Sequence, residues 1–351
     1  MASASRSGTD LPVCPDRPGG LSHQAKHGIL LLVVAAAMLA GCSREPAAVR
    51  VDSSLAALAP PDAIMLAGVR MEAVRATPVY QKWVGRKQIV DLDKFAAETG
   101  LDPRKDVAEL LFASDGKSGV VLAKGRFPES ALRPLLERSG ARKIAHGKHT
   151  LYGTEEAAVV VLNDTTAAAG PAPVLRALLD RRRGGIPPAF KERLRTIAPD
   201  TQIWVAALGF TSLAEKLPDA GNLGNLRRIL ASVENTTVAF DLRYGVGMNA
   251  RGTCKTEQDA RFIHDGLRGL LGMGRLSTPD NEPDLLRFYD AIQVSRLETA
   301  LTVKADIPMD VLERFIVRID RLRPVDRVVG AVPPETPLSL PTPRRNETPP
   351  H

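Results

Sequence analysis

The chain has 351 residues, 44% hydrophobic but only 4% aromatic, and its 47 Lys and Arg against 40 Asp and Glu give a formal charge of +7. The cations are spread along the sequence, and aromatic side chains are too few to form stacking platforms beside them, so composition gives no case for nucleic-acid binding. A massed surplus of this size would favour anionic lipid or polymer, but this one is spread along the chain.

At the N-terminus the run from Ile29 to Ala40, ILLLVVAAAMLA, is uncharged and follows Arg17, Lys26 and His27, the charge order of a secretory signal. As a helix it would reach about 18 Å, against about 30 Å of bilayer hydrocarbon, so a signal core over 1–41 is predicted, not a span. No later apolar run is free of charge long enough to span either. Leu39-Ala40-Gly41-Cys42 then resembles the lipobox of bacterial lipoproteins. The resemblance implies that Leu39, Ala40 and Gly41 admit the signal peptidase, that the Cys42 thiol carries a diacylglycerol, and that Cys42 begins the mature chain with a further fatty acid on its amine. Several tens of buried methylenes, at about 0.8 kcal/mol each, make such an anchor effectively permanent. Ser43 stands where an aspartate would mark inner-membrane retention, so the resemblance leans toward the outer membrane, with the body facing the periplasm.

Residues 42–54 are polar and unpatterned and are predicted to be a tether. Beyond them Cys254 is the one remaining cysteine, since Cys14 leaves with the signal and Cys42 is acylated. No intrachain disulfide is available to the mature chain, and a hydrophobic core must stabilise it. Cys254 reads as a small buried residue.

The body opens at Pro61-Asp62, a turn leading into the strand pattern AIMLAGV. Asp91 or Asp93 is expected to cap a helix that Gly100 stops, with Asp102-Pro103 starting the next. Strands at 108–114 and 118–124 flank a tight turn at Asp115-Gly116, and the helix 128–138 follows, with Ala131, Leu132, Leu135 and Leu136 on one side. His146 and His149 lie in a turn entering a strand, where a zinc site would lack a designated third ligand. The stretch 155–181 reads strand, turn and helix, ending at Arg181-Arg182-Arg183, cations suited to a helix C-terminus. Gly184-Gly185 and Pro187-Pro188 mark a connecting segment, 184–198.

Pro199-Asp200 repeats the opening pattern. GNLGNL at 221–226 lacks the third glycine and preceding strand of a nucleotide turn and reads as a loop and helix start. The stretch 245–272 reads as a strand closed by Gly252 and then a helix that Thr256 and Asp259 can cap, and 298–320 again reads strand, turn, helix. Within the helix, His264 and Asp265 project about 100° apart and are not expected to pair. Residues 331–351 are proline-rich and are predicted disordered.

Three pairs of segments match in order: 61–74 with 199–213, 119–140 with 245–272, and 155–181 with 298–320. They predict a diverged internal repeat and an α+β fold of two similar lobes, 55–183 and 199–330, each an antiparallel sheet covered by helices, with one sheet possible across both. This layout resembles uncharacterised bacterial envelope proteins with a duplicated α+β module, a likeness that implies no activity.

No catalytic, cofactor-binding or metal-binding residue is designated: G-x-S-x-G and phosphate-loop patterns are lacking. The expected function is therefore that of a non-catalytic, lipid-anchored envelope protein that binds or scaffolds an envelope partner. The alternatives are a periplasmic carrier of a lipid or other hydrophobic ligand, for which abundant Ala, Val and Leu leave room, and an envelope hydrolase whose carboxylates meet only on folding.

Overall fold

The structure is a computed structural model that describes residues 48–85, 93, 96–97, 101–138, 140–181, 184–279 and 281–322, the last five by backbone alone. Leu39, Ala40, Gly41 and Cys42, along with Asp91, Gly100 and the tail 331–351, lie outside the described residues.

The folded body starts within the stretch read as a tether. Val49 is buried and its N–H donates to the Ile197 carbonyl at 3.0 Å. Asp52 then caps α1 (Ser53–Leu58) by accepting from the Ser54 N–H at 2.8 Å, which aims Leu55 into the core. Strand β1 (Met65–Arg70) leads to the short helices α2 (Met71–Arg75), α3 (Pro78–Trp83) and α4 (Pro103–Asp106). Thr77 and Asp102 cap α3 and α4, each followed by a proline where the helix needs no N–H. Strands β2 (Val107–Ser114) and β3 (Gly119–Gly125) form a hairpin. Its turn is held by Asp115, which accepts from the N–H groups of Lys117 and Ser118, with Gly116 at φ +86°.

There follow α5 (Glu129–Arg138), β4 (Lys143–His146), β5 (His149–Gly153), β6 (Ala158–Asn163), β7 (Thr166–Gly170) and α6 (Ala172–Asp180). The connecting segment 184–198 carries a helix of its own, α7 (Pro188–Arg195). Pro187 is its N-cap and Pro188 its first residue, and Phe190 is fully buried. The rest comprises β8 (Ile203–Ala207), α8 (Thr211–Ala214), α9 (Gly221–Ser232), β9 (Val233–Asp241) and β10 (Gly245–Cys254). Then come α10 (Glu257–Leu276), α11 (Pro283–Asp290), β11 (Ile292–Leu297), β12 (Ala300–Pro308) and α12 (Met309–Leu322). Thr256 caps α10 by accepting from the Asp259 N–H at 3.1 Å.

The fold is α+β. The described strands form one twelve-stranded antiparallel sheet in the order β11-β12-β10-β9-β8-β1-β2-β3-β7-β6-β5-β4. Only β1–β8, β3–β7 and β10–β12 join strands that are not consecutive in the chain. Strand β5 is the one expected after the histidine turn; β4 is an addition to the predicted strands, and the hairpin ends one edge of the sheet.

Strand side chains alternate between faces, so strands such as β2, β3 and β7 feed two cores. Leu111, Ala113, Val120, Leu122 and Val160 point to one face, where Leu55, Leu175, Leu178 and Phe190 of α1, α6 and α7 bury them. The opposite face packs a smaller cluster of Val107, Phe127, Leu132 and Ala167, with Met71, Leu101 and Leu110 against it. A third cluster joins Cys254, Ala260, Ile263 and Leu301 of β10, α10 and β12.

Candidate functional site

The thinner second face holds an apolar pocket of about 340 Å³. Leu110, Val121, Ala123, Val159, Ala167 and Ala169 floor it from β2, β3, β6 and β7. Met71, Tyr80, Val84, Leu101, Pro103 and Phe127 complete its walls. The space follows from the sequence of β7, TAAAG, whose methyl side chains stop short of the helices that bulkier strand residues would reach. Its volume lies within the range of about 300–1,000 Å³ usual for small-molecule sites.

Arg104 is the one charged side chain lining the pocket among the described residues. Its guanidinium is already engaged, at 2.7 Å by Asp93 and 2.9 Å by Asp102. The Asp102 carboxyl is held below its usual range, chiefly by Arg104. Asp93, read as a possible helix cap, is thus a partner of Arg104. Among the described residues the pocket offers apolar contact and no paired nucleophile and base.

A polar group binds α1 to the sheet. The Asp52 N–H donates to Glu109 Oε1 at 3.0 Å, and Lys124 Nζ reaches Asp52 Oδ1 at 3.4 Å and Ser54 Oγ at 3.3 Å. Burial pushes the Glu109 carboxyl up, whereas the Ser54 hydroxyl foremost, then its N–H and Lys124, hold Asp52 down. Ser54 gives its proton to Asp52 and takes one from Lys124, so this serine and lysine serve a helix cap rather than a nucleophile and base.

His146 and His149 face each other across the β4–β5 turn, where Gly147 has φ +57°. The two imidazoles have separate surroundings. His146 Nε2 lies 2.7 Å from Asp180 Oδ1. His149 enters a polar cleft of about 220 Å³ with Glu129, Arg133, Lys148 and Tyr152. Burial first, then Lys148, lowers the His149 pKa. Glu129 is ion-paired with Arg133. Among the described residues no three His, Cys, Asp or Glu side chains converge as a metal site.

His264 and Asp265 require a correction: they do pair, Nδ1 to Oδ1 at 2.8 Å, because the two side chains bend toward each other from diverging Cβ directions. Cys254 is buried, and desolvation raises its thiol pKa, the opposite of an activated nucleophile. GNLGNL forms the start of α9 with no strand before it. A cleft between α11 and α12 is lined by Glu282, Asp284 and Glu313; Asp284 is bound by Arg287 and Arg314 and Glu313 by Lys82, while beside the cleft Arg287 foremost lowers the Asp310 carboxyl. That is unlike the raised carboxyl a general acid needs. No helix among the described residues is long and apolar enough to cross a membrane.

No protein-family model matches the chain, and no curated protein matches it in sequence. Among solved structures, crystal form I of TP0453 aligns over 77% of this chain and 98% of its own length, at 12% identity and a TM-score of 0.42. Crystal form III of TP0453 aligns over 74% and 96%, at 11% identity and a TM-score of 0.43. At these values the likeness is one of distant layout and carries no functional argument.

Proposed function

We propose that the chain is a lipid-anchored envelope protein, fastened through Cys42, whose body is a non-catalytic binding module for a hydrophobic ligand such as a single acyl chain. The observation that carries the ligand reading is the pocket on the second sheet face, floored by β7 alanines and lined, among the described residues, by apolar and aromatic side chains and Arg104. The anchor rests on the sequence from Ile29 to Cys42, and Ser43 favours the outer membrane with the body in the periplasm.

The same reading includes duplication of an α+β unit. In its support, the strand order leaves β1 as β1-β2-β3-β7-β6 and leaves β8 as β8-β9-β10-β12-β11, so the two halves run outward alike from a central antiparallel pair.

Two measurements test the function. Metabolic labelling with a fatty-acid analogue is expected to mark the wild type and leave Cys42→Ala unmarked; equal labelling removes the anchor from the account. Native mass spectrometry of gently purified protein is expected to reveal a lipid-sized adduct lost on mild activation. Ligand-free protein in every preparation, with acyl-chain probes added as well, would overturn the binding role.

A further inference from the structure

Of the nine large apolar side chains that stand exposed among the described residues, six lie on α9 and α10. On α10 they are aligned. At about 100° per residue, Phe262, Gly266, Gly269, Met273 and Leu276 fall in one stripe, with Leu270 at its border. Leu270, Met273 and Leu276 are 62, 59 and 89% exposed. The other side of the helix, Ala260, Ile263 and Leu267, is committed to the core with Cys254 and Leu301. Packing within the fold therefore accounts for one apolar side of α10 and leaves the second facing water. Helix α9 extends this surface with Leu223 and Leu226, and the Arg228 guanidinium sits 4.8 Å from the Phe262 ring centroid.

A row of cations borders the stripe. Arg261, Arg268 and Arg275 recur every seven residues along one flank of α10 and are all exposed. Arg275 pairs with Asp290; Arg261 and Arg268 have no ion pair among the described residues. We propose that the α9–α10 face is a docking surface for an anionic lipid bilayer, with the Phe262–Leu276 stripe entering the boundary between headgroups and acyl chains and the arginines meeting lipid phosphates. Arginine suits this border because its stem lies along apolar surface while its guanidinium stays at the headgroups. A second copy of the chain fits less well, for of the acids on α10 Asp259 is engaged by Thr256 and Asp265 by His264, which leaves Glu257 alone to meet the arginines. The inference rests on α9 and α10 alone and is independent of Cys42 acylation and of the pocket.

Tryptophan placed by Leu276→Trp in the full-length protein reports depth, with Tyr244→Trp, on the distant β9–β10 turn, as the reference. In phosphatidylcholine vesicles containing phosphatidylglycerol, the Leu276→Trp signal, after subtraction of wild type, is expected to shift to shorter wavelength. Lipids brominated near the headgroup should quench it more than deeply brominated ones, consistent with burial of about 5–10 Å. The Tyr244→Trp signal stays unquenched. Adding Arg261→Glu and Arg268→Glu is expected to abolish the quenching with the circular dichroism and melting temperature kept. A water-exposed spectrum of Leu276→Trp in these vesicles overturns the proposal. Equal quenching in pure phosphatidylcholine overturns the anionic preference, and shielding without lipid in a species of dimeric mass assigns the face to a second copy instead.

Discussion

Gly68 of β1 and Trp204 of β8 are register partners at the middle of the sheet, and the indole lies over the bare glycine Cα. A Cβ at Gly68 would stand 2.3 Å from Trp204 Cε2, closer than any real contact. The ring is buried and its neighbours belong to the main core, so it has little room to withdraw. Gly68→Ala is expected to destabilise the protein by about 1–3 kcal/mol through overpacking. Urea titration followed by the emission of Trp83 and Trp204 checks it, and an unchanged midpoint would show the indole free to move.

The pocket can be filled without touching a polar group. Ala167 contributes a methyl to its floor, and Ala167→Phe places a ring in the space a ligand would use. The expected outcome is loss of the lipid adduct in native mass spectrometry with the melting temperature equal to or above that of the wild type. Retention of the adduct would locate the ligand elsewhere.

Glu109 carries a pH signature. Burial raises its carboxyl above the unfolded value, so folding favours the protonated form. Its stabilising contribution is complete below the unfolded glutamate pKa, about 4.3, and is lost as pH rises through the folded value. Asp52 runs the other way: held down by Ser54 and Lys124, it contributes above the unfolded aspartate value and loses that contribution as pH falls. Glu109→Gln keeps an oxygen to accept from the Asp52 N–H and removes the ionisation. It should be more stable than wild type at neutral pH, the difference closing as pH falls below the carboxylate range. Denaturant midpoints across pH provide the measurement.

The β11–β12 turn contains the one described non-glycine residue at positive φ, Glu298 at +50°. Two-residue hairpin turns with positive φ at the first position favour glycine there. Glu298→Gly is expected to stabilise by up to about 1 kcal/mol, the left-handed penalty being relieved and part of the gain returned as chain entropy. Thermal unfolding decides the sign.

Elements governed by local pattern are legible in the sequence. The alternation in VAELLFAS and GVVLAKG, with Asp115-Gly116 between them, specifies β2 and β3 and their turn. The Thr256 cap of α10 is equally local. Helix α7 was not legible, because Pro187-Pro188 interrupts a pattern as readily as it begins a helix, and only burial of Phe190 distinguishes the two. The His264–Asp265 bond depends on rotamers, which sequence spacing leaves open. The pocket was hidden for a different reason. The alanines of β7 permit a void, but its existence depends on how far α2 and α3 stand from strands distant in sequence.

The β1–β8 pairing also dictates an order of assembly. Most ladders link neighbours along the chain and can zip as soon as their strands exist, whereas Val69 must find Ile203 across everything between them. While a growing chain still lacks its second half, β1 presents an open row of amides and carbonyls, a template for any stray strand. The slowest and most error-prone moment in the life of this protein is therefore the closing of its central seam, which makes β1 the segment that a chaperone has most reason to shield.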